Sequence, residues 1–169
     1  MKKFELTNEF ITNSYGVKLF RIKALIEFGN VKAGDLGGYI EKEENLSHMG
    51  DAWIYGDAQI SGNAQVFGDA QVFGNARVSG NARVSGDAWV FGDARVSGDK
   101  DYAYAHGFGS CNRTTTFFRL KDGDVGVRCG CFYGTLAQFR DKVCETHGET
   151  KKAQEYLMLA DLMEIRFKN

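Results

Sequence analysis

Residues 50–97 consist of eight consecutive six-residue units, GDAWIY, GDAQIS, GNAQVF, GDAQVF, GNARVS, GNARVS, GDAWVF and GDARVS. Each unit begins with glycine and then aspartate or asparagine, and carries alanine third and isoleucine or valine fifth. The third and fifth residues lie on one face of an extended strand, so we predict that they point inward. Glycine followed by Asp or Asn tolerates the left-handed backbone of a tight corner. The repeat therefore predicts a solenoid of short strands joined by corners.

This pattern, seen for example in VFGDAQ at residues 66–71, resembles that of the hexapeptide-repeat proteins. The resemblance covers roughly residues 38–103 and implies a left-handed parallel β-helix with three units in each coil. Residues eighteen apart would then be vertical neighbours on one of three walls. Counting backward in steps of six places Ile40 and Leu46 at alanine positions.

Two further segments resemble uncharacterised bacterial and prophage members of that group. The first is DLGGYIE at residues 35–41, followed by NLS at residues 45–47, and the second is CGCFYGT at residues 129–135. The resemblance implies a plausible prophage origin, but the group provides no activity that can be transferred to this chain.

The composition excludes several broad classes of protein. The chain has 169 residues, 43% of them hydrophobic, and a net charge of -1, which suits one or two packed domains and argues against generic nucleic-acid binding. Lys2 and Lys3 are not followed by an apolar segment, and no run of about 18 apolar residues occurs. We therefore expect no membrane association and a cytoplasmic location, with the four cysteines as thiols unless a metal binds them.

The pattern changes at both ends of the repeat. Residues 1–37 contain segments typical of β-strands and are expected to form an N-terminal β cap. Residues 38–103 are expected to form the β-helix. Residues 104–113 are interpreted as a linker. Residues 114–169 indicate a ββαα module, with a hairpin turn at residues 121–124 and a capping box at residues 135–138 that begins a helix. The predicted fold is thus mainly β, a short left-handed β-helix between these two terminal units.

The eighteen-residue coil places large aromatic residues on the outside of one wall, and soluble monomers rarely leave such a patch uncovered. Neighbouring subunits of a homotrimer or the chain's own terminal segments could cover it, or it could be a platform on which a ligand stacks. Arginines on the other walls could form a basic ledge that holds phosphate or carboxylate, or could pair with corner aspartates. The candidate ligand or partner-binding residues are Trp53, Tyr55, Phe73, Trp89, Phe91, Arg77, Arg83 and Arg95.

Two clusters raise the question of a metal ion. The aspartates at positions 51, 69 and 87 recur at the coil spacing, which suits either a cation or turn-capping carboxylates in water. Cys129, Cys131, Cys144 and His147 could supply four zinc ligands, or the cysteines could be buried free thiols. Because structural zinc usually takes wider cysteine spacing, we predict no metal and no other cofactor.

These observations favour a non-catalytic, oligomeric binding protein, expected to be a homotrimer. Its ligand would be a nucleotide signal or a host defence protein, captured in grooves between subunits or by the C-terminal module. Trp53 or Trp89 would stack on a base and the arginines would hold phosphate. One alternative is a hexapeptide-repeat acyltransferase that uses acetyl-coenzyme A, with His48 or His106 as general base, although no loop interrupts the repeat to form an acceptor pocket. The other is an architectural spacer.

Overall fold

The chain begins with three strands that lead into the repeat. The computed structural model describes residues 1–168. Strand β1 (Phe4–Thr12) pairs antiparallel with β2 (Lys18–Ala24), which pairs antiparallel with β3 (Leu36–Ile40). Phe4 and Ile22 are fully buried and join the core of the repeat. The N-terminal strands and the solenoid therefore share one hydrophobic core.

Each six-residue unit contributes one short strand. The strands are β4 (Trp53–Ile54), β5 (Gln59–Ile60), β6 (Gln65–Val66), β7 (Gln71–Val72), β8 (Arg77–Val78), β9 (Arg83–Val84), β10 (Trp89–Val90) and β11 (Arg95–Val96). They pair in parallel as β4–β7–β10, β5–β8–β11 and β6–β9, always with the strand eighteen residues away. The predicted coil length is confirmed, and the repeat is a β-solenoid of about three turns.

The interior of the solenoid is built from the two inward positions of every unit. All eight alanines and all eight isoleucines or valines of the repeat are at most 1% exposed, which confirms their predicted orientation. Each buried Ile or Val side chain contributes roughly 1.5–3 kcal/mol relative to an exposed one. Because alanine is small, the three walls of the coil lie close together, and the narrow interior between them is filled by the alanine and isoleucine or valine side chains.

The corners require glycine for two separate reasons. Gly80 has a φ of 63°, a left-handed conformation that residues with a Cβ atom adopt at a cost. A Cβ atom there would also collide with the carbonyl oxygen of Ser97 in the next coil. The corner glycines thus allow both the turn and the close stacking of successive coils.

The first coil does not follow the predicted register. Ile40 pairs with Ile60, and Leu46 forms a bridge with Val66, so both lie at isoleucine or valine positions and not at alanine positions. The spacing between these neighbours is twenty residues because the corner at residues 47–51 contains two more residues than the others. Backward counting in sixes was wrong here, since an insertion in a corner shifts every preceding position.

The C-terminal part packs on the last coil. It contains β12 (Tyr102–His106), β13 (Thr114–Arg119), β14 (Val125–Cys129) and β15 (Phe132–Thr135), paired antiparallel in that order. Strand β12 overlaps residues 104–113, which the sequence had indicated as a linker, and adds an edge strand to the expected hairpin. Phe118 points into the solenoid core and Phe117 into a second core beneath the helices. The sheet is therefore buried on both faces.

The two predicted C-terminal helices are α1 (Leu136–His147) and α2 (Lys151–Phe167). Thr135 and Gln138 form the expected capping box at the start of α1, and Gly148 ends that helix. Phe139 and Val143 of α1 pack with Tyr156 of α2 against the sheet. Within residues 1–168, neither helix is long and apolar enough to cross a bilayer.

Candidate ligand-binding groove

In the first coil, the aromatic wall is covered by the N-terminal segment of the chain. Trp53 is only 1% exposed. Its ring centroid lies 5.3 Å from that of Phe28 and 6.3 Å from that of Phe4, both in edge contacts. Of the alternatives for this wall, coverage by the chain's own terminal segments holds at Trp53, because the N-terminal segment packs over it and leaves no face of the indole for a ligand.

An aromatic ladder continues along the same wall toward the C-terminal sheet. Tyr55 and Phe73 stack with their ring centroids 4.5 Å apart, and Phe73 lies 5.6 Å from Phe91. Tyr133 of β15 extends the ladder, with its ring centroid 5.0 Å from that of Phe91. Tyr55, Phe73 and Phe91 are half-buried, so the ladder stabilises the junction between the solenoid and the C-terminal sheet more than it offers a free surface.

Trp89 lies beside this ladder, with its ring centroid 5.6 Å from that of Phe73, and borders a groove. Trp89 is 37% exposed. The groove has a volume of about 660 Å³, within the range of small-molecule sites, and lies between the solenoid wall and the β14–β15 turn. Its lining consists of Asp87, Trp89, Arg113, Thr114, Arg128, Gly130 and Cys131.

Arg128 lies over the aromatic floor of this groove. Its guanidinium carbon is 5.3 Å from the ring centroid of Trp89 and 5.2 Å from that of Phe91. The Nε of Arg128 is buried without a hydrogen-bond partner. Within residues 1–168 the guanidinium donates one hydrogen bond, from Nη1 to the carbonyl oxygen of Phe132, and it is 3.5 Å long. Within residues 1–168 neither Arg128 nor Arg113 forms an ion pair. A guanidinium with unused donors suits a phosphate or carboxylate group.

Local sequence rules explain how both arginines reach the groove. In β14, alternate residues point to opposite faces, so Val127 points to the helices and Arg128 to the solenoid. Gly130 and Cys131 form a two-residue hairpin turn with φ of 58° at the glycine, the position where a type II′ turn needs it. A Cβ atom at Gly130 would collide with the Arg113 guanidinium. Sequence reasoning missed both arginines, although the alternation within β14 was a usable signal for Arg128.

The rim of the groove carries groups that accept or share hydrogen bonds. His106 Nδ1 lies 2.9 Å from Thr114 Oγ1 and 4.0 Å from the carboxylate of Asp87. Asp87 is exposed and provides a hydrogen-bond acceptor in the same groove as the two arginines. The groove thus combines an aromatic surface, two cations and one acceptor.

The arginines predicted from the repeat do not form one ledge. Arg77 and Arg95 are neighbours on β8 and β11, whereas Arg83 lies on β9 in a different wall, with its guanidinium carbon 5.4 Å from the Phe67 ring centroid. Burial, and then the nearby positive charge of Arg77, lower the pKa of Arg95. None of the three lines the groove beside Trp89.

The candidate zinc ligands do not converge. Cys129 points toward the helices, where it accepts a hydrogen bond from Thr115 Oγ1 at 3.2 Å, while Cys131 lines the groove on the other side of the sheet. The cysteines are free, and no group of three or more His, Cys, Asp or Glu side chains within residues 1–168 is placed to share a metal ion. In the aspartate column, Asp69 instead accepts a hydrogen bond from the backbone N–H of Asp51 at 3.0 Å.

A second cavity, of about 530 Å³, lies beside the first coil and includes His48 and Arg83. His48 Nδ1 accepts the backbone N–H of Lys3 at 3.1 Å, so Nε2 is the nitrogen that donates to Glu43, at 2.7 Å. This hydrogen bond lowers the pKa of Glu43. Both ring nitrogens are engaged within the chain, which makes His48 part of the packing between the N-terminus and the inserted corner.

Comparison with known families agrees with this architecture. A family model described as the YdcK beta-solenoid repeat matches residues 58–74, 70–86 and 76–92. The matches overlap along the central coils, and together with the stacked strands they fit a β-solenoid repeat protein. A search of curated proteins finds no sequence that matches the chain.

Proposed function

We propose that this protein is a non-catalytic binding protein and that the groove beside Trp89 captures a small aromatic anion. The observation that carries the proposal is the Arg128 guanidinium, which lies over Trp89 and Phe91 and has no carboxylate partner within residues 1–168. Arg113 adds a second positive charge to the same cavity.

A nucleotide is the ligand class that best suits these groups. A base can contact the exposed part of the indole and the guanidinium plane, since arginine stacks on aromatic rings. The phosphate can accept hydrogen bonds from Arg113 and Arg128, and the Asp87 carboxylate can accept one from a sugar hydroxyl or an exocyclic amine. In this proposal the nucleotide is a signal molecule, and capture serves a prophage against its host's defence.

The proposal also includes the handedness of the solenoid, the role of the N-terminal segment and the oligomeric state. The solenoid winds left-handed, residues 1–37 act as its N-terminal cap, and the chain works as an oligomer for which the repeat favours a trimer. The cap is supported by Lys3, whose ammonium donates hydrogen bonds to the carbonyl oxygens of Gly50 and Ala52 and so satisfies backbone groups of the first coil.

Capture is tested directly with the purified full-length chain. The protein is heated, and the supernatant is analysed for released nucleotides by mass spectrometry. Nucleoside monophosphates and cyclic dinucleotides are then titrated into ligand-free protein by calorimetry. We expect saturable binding of at least one of them, with a rise in melting temperature. A clean supernatant together with no heat and no thermal shift across the set would overturn the proposal. Binding of a host protein without any nucleotide would also overturn it in favour of a protein partner.

A further inference from the structure

Helix α2 has a second apolar face that nothing within residues 1–168 covers. Met158, Leu162 and Ile165 are 71%, 54% and 70% exposed. Their spacing of four and three residues places them in one stripe along the helix. The opposite face of α2, with Tyr156, is buried against the sheet. Large aliphatic side chains grouped in this way mark an interaction surface.

The charges beside the stripe indicate its partner. At 3.6 residues per turn, Glu155 and Arg166 fall on the same flank of the stripe, near its two ends. Within residues 1–168 neither of them forms an ion pair. Each is held in place by neutral groups. Glu155 accepts the backbone N–H of Gly109 at 2.6 Å, and Arg166 donates to the carbonyl oxygen of Asp99 at 2.9 Å.

We propose that this stripe binds the same stripe of a second copy of the chain, with the two α2 helices antiparallel about a two-fold axis. In that arrangement Met158 packs on Ile165 of the second copy, and Leu162 lies near the axis. Glu155 faces Arg166 of the second copy, and the symmetry forms this ion pair twice. The surface is therefore self-complementary in its apolar stripe and in its flanking charges.

The charges also select between the two possible orientations. A parallel pair would place the flank that carries Glu155 and Arg166 against the opposite flank of the second copy, so these two side chains would not face each other, whereas the antiparallel pair joins them twice. On the other flank, Asp161 approaches its own copy across the axis, but Arg140 already pairs with it at 2.6 Å. The antiparallel pair thus leaves no uncompensated like-charge contact. This inference goes beyond the proposed ligand capture and does not depend on it.

Solution mass tests the interface with the full-length chain. We expect an even number of copies by light scattering and sedimentation velocity, six where the trimer proposed for the repeat also forms and two where it does not. Leu162→Lys should halve the mass, because a charge would enter the centre of the apolar contact. Met49→Lys is the matched control, since Met49 is 78% exposed and lies far from α2 in the chain. A monomer or an odd number of copies for the wild type would overturn the proposal. So would an unchanged mass for a folded Leu162→Lys.

Charge reversal tests the orientation. Glu155→Arg and Arg166→Glu alone should each weaken association about tenfold, because each puts like charges opposite each other. The double variant restores opposite charges and should regain wild-type association. Thermal unfolding of each variant reports any loss of fold from the altered hydrogen bonds. A double variant as weak as the single ones would overturn the antiparallel register.

Discussion

The ammonium nitrogen of Lys3 lies 2.8 Å from the carbonyl oxygen of Ala52, and Lys3 is only 1% exposed. A second hydrogen bond, of 3.1 Å, joins it to the carbonyl oxygen of Gly50. The N-terminus is thereby attached to the first coil through a buried charge. Burial lowers the pKa of this amine from 10.5 to about 8.

The first prediction follows from that lowered pKa. Between pH 8 and 10.5 the unfolded chain holds the Lys3 proton more tightly than the folded chain does, so the free energy of unfolding should rise with pH in this window. Lys3→Met lacks the titrating group and should lack the rise. Urea unfolding of both proteins across this range isolates the effect from other groups that titrate there, and parallel pH profiles would contradict it.

The second prediction concerns the junction between the last coil and the C-terminal sheet. The Asp101 carboxylate accepts hydrogen bonds from Ser97 Oγ at 2.7 Å and Arg119 Nε at 3.2 Å. Although burial acts to raise its pKa, these hydrogen bonds and the Arg119 charge lower it overall. Asp101→Ala should cost about 3 kcal/mol, because the partners lose their charged acceptor.

Acid titration provides a second readout for the same residue. The stabilisation by Asp101 is present above its ordinary pKa of 3.8 and should be lost as pH falls through the lower folded value. The difference between wild type and Asp101→Ala should therefore shrink in acid. Asp57→Ala, at an exposed corner, is the control and should change stability by no more than about 0.5 kcal/mol.

The third prediction uses two glycines at the same corner of successive coils. Gly80→Ala should destabilise the fold by about 2 kcal/mol or more, through its positive φ and the collision with Ser97. Gly98→Ala has no atom within 4 Å of the added methyl group and should be nearly neutral. Thermal unfolding of the pair measures the difference, and equal melting temperatures would count against the coil stacking.

The fourth prediction separates the two tryptophans by fluorescence. Trp53 is 1% exposed and Trp89 is 37% exposed, so acrylamide should quench Trp53→Phe protein strongly and Trp89→Phe protein weakly. A nucleotide bound in the groove should protect Trp89 from quenching. If both single-tryptophan proteins were quenched alike, the N-terminal segment would not cover Trp53 in solution.

The fifth prediction assigns the anion to Arg128. Arg128→Gln should weaken nucleotide binding by about tenfold or more, since a charge-assisted hydrogen bond contributes roughly 1.5–3 kcal/mol. Arg77→Gln removes an exposed arginine of another wall and should bind as the wild type does. Equal affinities for the two variants would place the ligand elsewhere.

The solenoid could be predicted because its signal is periodic. Alanine and isoleucine or valine two residues apart in every unit determine which face is inward. The three units per coil, which place Trp53 beside Gln71, came from the resemblance to the hexapeptide-repeat proteins. The first coil could not be predicted in the same way. Its inserted corner at His48 has no periodic signature, and it is held by a hydrogen bond from the backbone N–H of Lys3, which is distant in the chain.

The candidate groove depended on contacts between distant parts of the chain. Trp89 was identified from the repeat, but its partner Arg128 lies on a strand of the C-terminal sheet, and no sequence rule states how that sheet is placed on the last coil. Arg77 and Arg83, which the repeat suggested, are separated because adjacent units turn onto different walls. Periodicity within the repeat therefore predicts which side chains point inward or outward, but not how the C-terminal sheet packs on the last coil.

The period of the coil also constrains how such a chain can change length during evolution. Gain or loss of eighteen residues lengthens or shortens the prism while every later side chain keeps its direction, so Arg128 still meets a tryptophan-bearing wall. Loss of a single six-residue unit would move the C-terminal sheet to a different wall of the solenoid. Arg128 would then no longer lie over Trp89, and the groove would not form. We therefore expect variation among such proteins in whole turns.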